Sequence, residues 1–171
     1  MIISLNLRIC FVSSLAFVSM QGLAAAPARC TADEIEWFGC NIGSKRVAVC
    51  SSSAIHADSG YLQYRFGTGS RIELLLPADP AALPVQGAVA GSLVFSGGGG
   101  AYLRFDSGSY SYVVYSAISS SWGEKDGILI EKDGRALRSL KCTSAVRSRL
   151  GPELFEKAGL RSDQREFLLP D

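Results

Sequence analysis

Histidine is almost missing from this sequence: His56 is the only one in 171 residues. Zinc sites built on imidazole and histidine-assisted nucleophilic catalysis therefore have a single residue to draw on. It stands in a polar stretch with Asp58 two residues away and reads as a loop histidine. No Gly-x-Ser-x-Gly elbow accompanies the abundant serines. Neither sign of charge dominates, with 17 Lys and Arg against 16 Asp and Glu and no basic block. Nucleic acid binding has no electrostatic footprint here. Beyond the N-terminus, no stretch approaches the roughly 20 apolar residues that span a bilayer as a helix. The mature chain is expected to have no membrane span.

The N-terminus follows the secretory order of basic start, apolar centre and small residues. Residues 1–8 carry one charge, Arg8, and an apolar run broken only by serines fills 9–20. Gly22 and Ala24 suit cleavage before Ala25 or one or two residues later. We draw 1–25 as a signal peptide, so the protein is expected in the periplasm or secreted. The remaining chain of roughly 145 residues fits one domain with one core.

Five cysteines are present, and Cys10 leaves with the signal. Cys30, Cys40, Cys50 and Cys142 remain, an even set that reads in an exported chain as two disulfides. The rival is zinc, but structural zinc sites bring ligands in pairs about two to four residues apart, and here the intervals are wider. No metal and no cofactor is expected.

The chain alternates short Val-, Ile-, Leu-, Tyr- and Phe-rich segments with turn residues. Strands are predicted at 34–40, 45–51, 61–66, 71–76, 92–96, 102–105, 110–118, 128–131 and 137–142, with Asp133-Gly134 the clearest hairpin turn. Tyr110, Tyr112 and Val114 share one face of their strand, Val113 and Tyr115 the other. Three prolines (Pro77, Pro80, Pro84) mark 78–89 as a loop crossing between two halves of the sheet system. A short helix is predicted over 151–159, from Pro152 at its first turn to Gly159 at its stop. The expected fold is all-β, an antiparallel sandwich or small barrel of about eight or nine strands with one short C-terminal helix. The disulfide-linked domain is drawn as 26–160, and 161–171 is expected to be a loose tail.

Hairpin geometry bears on the cysteines. With the turn at 41–44, Cys40 sits at the turn and Cys50 about five residues down the partner strand, more than ~10 Å away. A disulfide needs Cα atoms about 4.4–6.8 Å apart. Cys30 precedes the first strand and falls at the Cys50 end. In a count of nine alternating strands, Cys142 falls at the Cys40 end. The expected pairs are Cys30–Cys50 and Cys40–Cys142, and a strand count differing by one would change the second.

Gly67-Thr68-Gly69-Ser70 has the glycines of a phosphate loop but no lysine and no helix after it. It reads as a hairpin tip. Its flanks carry Tyr61, Tyr64, Arg65 and Phe66, with Glu73 across the turn. Two readings stand open. Tyr64 and Phe66 fill a core and Arg65 pairs with Glu73, or Tyr61, Tyr64 and Arg65 form a recognition surface, since Tyr and Arg are enriched at binding hot spots. Asp33, Glu34, Glu36, Asp106 and Glu131 could meet in space as catalytic carboxylates, although their spacing does not ask for it.

Taken together, Phe38-Gly39-Cys40, the run 45–50 (KRVAVC), the run 61–67 (YLQYRFG), the run 72–77, the run 105–108 and Tyr110-Ser111-Tyr112-Val113-Val114-Tyr115 resemble a group of small exported proteins of Gram-negative bacteria. The YRFG block is the most specific part, and the resemblance implies a periplasmic or secreted address. Ser107-Gly108-Ser109-Tyr110 more loosely resembles the serine-glycine-tyrosine motif of the C-type periplasmic lysozyme inhibitors, small disulfide-linked barrels that block an enzyme with a loop.

The functional expectation is an exported, non-catalytic binding protein whose partner is a secreted or periplasmic protein, in the sharper version an inhibitor or immunity-type protein. A secreted hydrolase using surface carboxylates and a structural envelope protein are the alternatives. Two carboxylates within about 10 Å in a concave pocket would favour the hydrolase. A convex surface bearing the tyrosines and Arg65 would favour the binder.

Overall fold

The computed structural model describes residues 28–95 and 97–171, so the signal peptide drawn at 1–25 lies outside the described residues. Two antiparallel hairpins open the chain: β1 (Glu34–Ile42) with β2 (Lys45–Ser52), and β3 (Leu62–Gly67) with β4 (Ile72–Leu76). A single helical turn, α1 (Val85–Ala88), leads into a meander of β5 (Val89–Phe95), β6 (Gly98–Ser107), β7 (Tyr110–Ser119), β8 (Gly123–Lys132) and β9 (Arg135–Lys141). The chain closes with β10 (Arg147–Ser148), α2 (Pro152–Ala158) and β11 (Arg161–Ser162). The first sheet has the order β10-β1-β2-β3-β4 and the second β11-β5-β6-β7-β8-β9. All neighbours are antiparallel except β11 with β5.

The architecture is an all-β sandwich rather than a closed barrel. Turn chemistry sets much of it. Asp133 and Gly134 both take positive φ, 51° and 73°, and this two-residue turn fixes the register in which Lys132 opposes Arg135. The nine long strands are joined by two of two residues each, β10 and β11, which dock on the outer edges of β1 and β5.

Period-two patterning places the core between the sheets. Phe38, Val47, Val49, Leu62 and Tyr64 of the first sheet meet Leu103, Phe105, Val114 and Ile128 of the second. The Tyr64 ring lies 5.7 Å from the rings of both Phe105 and Tyr112, bridging the layers. Each large side chain removed from water here contributes about 1.5–3 kcal/mol. The helix α2 has Pro152 in its first turn and ends at Gly159 in the left-handed region, and it buries Leu154 and Ala158 against the same core. The segment read as a plain loop, 78–89, does cross from one sheet to the other, but it winds into α1 and buries Val85.

The cysteines pair as Cys30–Cys50 and Cys40–Cys142, with Cα separations of 5.4 and 5.8 Å. The first bond holds the N-terminal segment to β2. The second joins β1 to the residue after β9, one sheet to the other.

The tail at 161–171 is not loose. The outer face of the second sheet carries a second apolar cluster of Tyr102, Val113, Tyr115, Ala117 and Leu129, and Phe167 and Leu169 pack on it. Beside it, Asp163 reaches the fully buried Arg104. An apolar face left in water is unfavourable, and the C-terminal residues cover it.

Candidate functional site

Arg65 and the residues around it are built as a structural knot. Its guanidinium donates to both oxygens of Glu34, Nη1 to Oε2 at 2.8 Å and Nη2 to Oε1 at 2.5 Å. It also donates to Gln63 Oε1 and to the Arg29 carbonyl. Glu34 in turn accepts from the Tyr61 hydroxyl at 2.5 Å and the Thr31 amide at 2.6 Å. Burial alone would raise the Glu34 pKa. The hydrogen bonds from Arg65, Tyr61 and Thr31 outweigh it and hold the carboxyl at about 2. Tyr64 is buried in the core, and that burial pushes its hydroxyl pKa up.

These positions correct the proposed recognition surface. Tyr64 and Arg65 are buried, and only Tyr61 is partly open, with its hydroxyl engaged. The expected Arg65–Glu73 pair is also absent, because Glu73 binds Lys45 instead. A bulge beside Phe66 and Gly67 shifts the register, so Arg65 faces Leu75 across the hairpin.

The candidate carboxylates are likewise taken up by arginines. Glu36 binds Arg46 at 2.9 Å and lies 3.2 Å from Arg147. Glu131 binds Arg104, and Asp106 binds Arg165 at 3.0 Å. Asp33 stands exposed. His56 is an exposed turn residue whose backbone bridges to Ser59. Glu34 lies close to the sulfurs of Cys30 and Cys50, but a disulfide offers no thiolate to a metal.

A different region remains. The β7–β8 turn carries Trp122, and beside it opens a cleft of about 480 Å³. Its walls include Tyr115, Trp122, Asp126, Lys141 and Ser144, and the C-terminal residues Pro170 and Asp171 border it. A shallower hollow of about 350 Å³ lies along the same end of β8 and shares Glu124 and Asp126. Ile118, in the wall of this hollow, is 56% exposed. Lys125 sits with its Nζ 5.6 Å from the centre of the Trp122 ring and donates to the Pro170 carbonyl at 2.9 Å.

The cleft owes its shape to β8 outrunning its neighbour. The β9 ladder ends where Lys141 opposes Gly127, so 123–126 have no β9 partner strand beyond the Cys142 amide on the Asp126 carbonyl. Gly127 is required at this corner. A Cβ there would meet the Leu140 carbonyl and come within 2.8 Å of the Tyr115 hydroxyl.

Electrostatically the cleft differs from the arginine-paired carboxylates described above. Among the described residues, Glu124, Asp126 and Lys141 form no salt bridge. Burial raises the Asp126 pKa, the Glu124 charge adds to this, and a hydrogen bond with Ser116 only partly offsets it. An aromatic wall beside unneutralised charges suits recognition of a polar group held against a ring. The reading from sequence passed over these residues. The available signal was a tryptophan placed in a turn and followed by Glu124-Lys125-Asp126.

Comparison with protein-family models, curated proteins and solved structures finds no match for this chain.

Proposed function

We propose that the chain is an exported, non-catalytic binding protein, of the inhibitor or immunity type, and that it engages another exported protein through the Trp122 cleft and the adjacent Ile118. The observation that supports this reading is an aromatic wall and the exposed Ile118 set beside charges that, unlike the expected catalytic carboxylates, no arginine neutralises. Glu34, Glu36, Glu131 and Asp106 are neutralised by arginines. Around Trp122, among the described residues, Glu124, Asp126 and Lys141 form no salt bridge and lie beside exposed apolar surface. An aromatic anchor inside a polar rim is the usual anatomy of a protein interface. Two disulfides accord with an oxidising compartment, periplasmic or extracellular. No described helix is long and apolar enough to cross a membrane. The turn that resembles the lysozyme inhibitors, 107–110, lies at the opposite end of β7, so this reading rests on the cleft and not on that motif.

The test uses the oxidised mature protein as bait in periplasmic and culture extracts. A partner held by wild type and by Tyr61→Phe, and lost with both Trp122→Ala and Ile118→Asp, supports the cleft. A partner retained by the cleft variants moves the site elsewhere. Capture of nothing specific sinks the protein-binding reading in those extracts.

A second reading, a carboxylate hydrolase, is favoured by one observation. Glu124 and Asp126 alternate on one strand, so their Cα atoms lie roughly 6–7 Å apart, and they share both hollows. In that reading the two carboxyls would divide the general-acid and general-base roles between them. Turnover of glycan substrates that vanishes in Asp126→Asn and in Glu124→Gln would establish it.

A further inference from the structure

The C-terminal tail lies on the second sheet as a ligand lies in a receptor. β11 adds in parallel to the outer edge of β5, Arg161 opposite Ala90 and Ser162 opposite Gly91, and the Asp163 amide donates to the Gly91 carbonyl at 2.8 Å. This is strand addition to a sheet edge. Asp163 Oδ2 then accepts from Arg104 Nε at 2.5 Å, and Arg104 Nη2 donates to the Glu166 carbonyl at 3.2 Å. One buried guanidinium thus contacts a carboxylate and, three residues on, a backbone carbonyl. The Phe167 ring settles 4.5 Å from Tyr102 and 5.9 Å from Tyr115.

We infer that the outer face around Tyr102, Arg104, Tyr115 and Glu131 is a peptide-binding seat, filled in cis by residues 161–171. Its external occupant is an extended segment of another protein that carries a carboxylate four residues ahead of an aromatic ring. This does not depend on the reading of the Trp122 cleft, although the two share Tyr115 and the last two residues of the tail border the cleft.

Three observations support an exchangeable ligand over a fixed part of the fold. First, the seat is complete without the tail. Its residues stand on β6, β7 and β8, whose ladders with each other and with β5 and β9 do not involve the tail. Second, Arg104 also pairs with Glu131 inside the seat, so departure of Asp163 leaves no lone buried charge. Third, after Ser162 the tail has no regular structure, Gln164, Glu166 and Leu168 are exposed, and Arg165 lies along the surface, where it pairs with the half-exposed Asp106. The elements that enter the seat are therefore sparse and ordered: the Asp163 carboxylate, the Phe167 ring four residues later, and the apolar Leu169 two beyond that, with the Arg165–Asp106 pair and the Lys125 bond to the Pro170 carbonyl at the rim.

The experiment uses the full chain and a labelled peptide of residues 160–171. The double variant Asp163→Ala, Phe167→Ala frees the seat while leaving it intact. It should bind the peptide about tenfold or more tightly than wild type, whose tethered tail competes at roughly millimolar effective concentration. A peptide with Asp163→Asn or Phe167→Ala should bind about tenfold more weakly. If the double variant has native near-ultraviolet circular dichroism and yet binds no better than wild type, the proposal is overturned.

Should the double variant not fold, hydrogen exchange on wild type decides. The Asp163 amide should exchange by local opening, about a hundredfold faster than the central β7 amide of Val114. Exchange of both at the same global rate overturns the proposal. Dimerisation of wild type through exchanged tails would overturn its assignment of the seat to a different protein.

Discussion

Glu34→Gln isolates the energetics of the Arg65 knot. In wild type the Glu34 carboxyl has its pKa held at about 2 instead of 4.5. At 1.36 kcal/mol for each tenfold change in proton affinity, this corresponds to about 3 kcal/mol. The carboxyl itself is nearly covered, but Tyr61 beside it is partly open to water, and a discounted value of about 2 kcal/mol is the working figure. The sign follows from linkage. A carboxyl whose folded pKa is depressed stabilises the protein above its unfolded pKa and loses that contribution as pH falls through the folded value. Glutamine mimics the protonated acid. The variant should therefore be less stable than wild type by about 2 kcal/mol at pH 7, with the gap shrinking between pH 5 and pH 2 and nearly closed at pH 2. Urea unfolding of both proteins across that range measures it. A gap that stays constant with pH would refute the reasoning, because the loss would then come from packing and not from charge.

Other perturbations test the frame. Replacing both Cys40 and Cys142 by serine opens a link across 102 positions of sequence and should lower stability by about 4–5 kcal/mol on chain-entropy grounds, seen as a large fall in Tm under non-reducing conditions. Leu103→Ala, at a fully buried core position, should cost about 2–5 kcal/mol, whereas Leu137→Ala, 61% exposed on β9, should stay within about 0.5 kcal/mol of wild type. Gly127→Ala should cost about 1–3 kcal/mol by overpacking and should disturb the Tyr115 signal in near-ultraviolet circular dichroism.

Local chemistry carried the parts of the fold that were legible. Asp133-Gly134 can hardly do anything but turn a hairpin, and strand length then dictated that Cys40 could not reach Cys50. Arg65 could not be read the same way. Its partner, Glu34, is 31 positions away, and the bulge beside Gly67 displaces the nearer candidate, Glu73. The covered outer face did leave a trace: Tyr110 to Tyr115 is apolar on both faces, as strands covered on two sides are. The Trp122 cleft left almost none, since it assembles from residues near 122–126, 141–146 and 170–171 only after folding.

The two disulfides overlap along the chain, one closing 30–50 and the other 40–142. A single peptide bond cut anywhere between residues 30 and 142 therefore releases no fragment, and both halves stay tethered beside their partners. Outside a cell, where proteases are plentiful and resynthesis is impossible, a nicked copy would remain one molecule with its sheets still facing each other. The exposed crossover around Pro80 and Leu83 can be clipped without dismantling the protein.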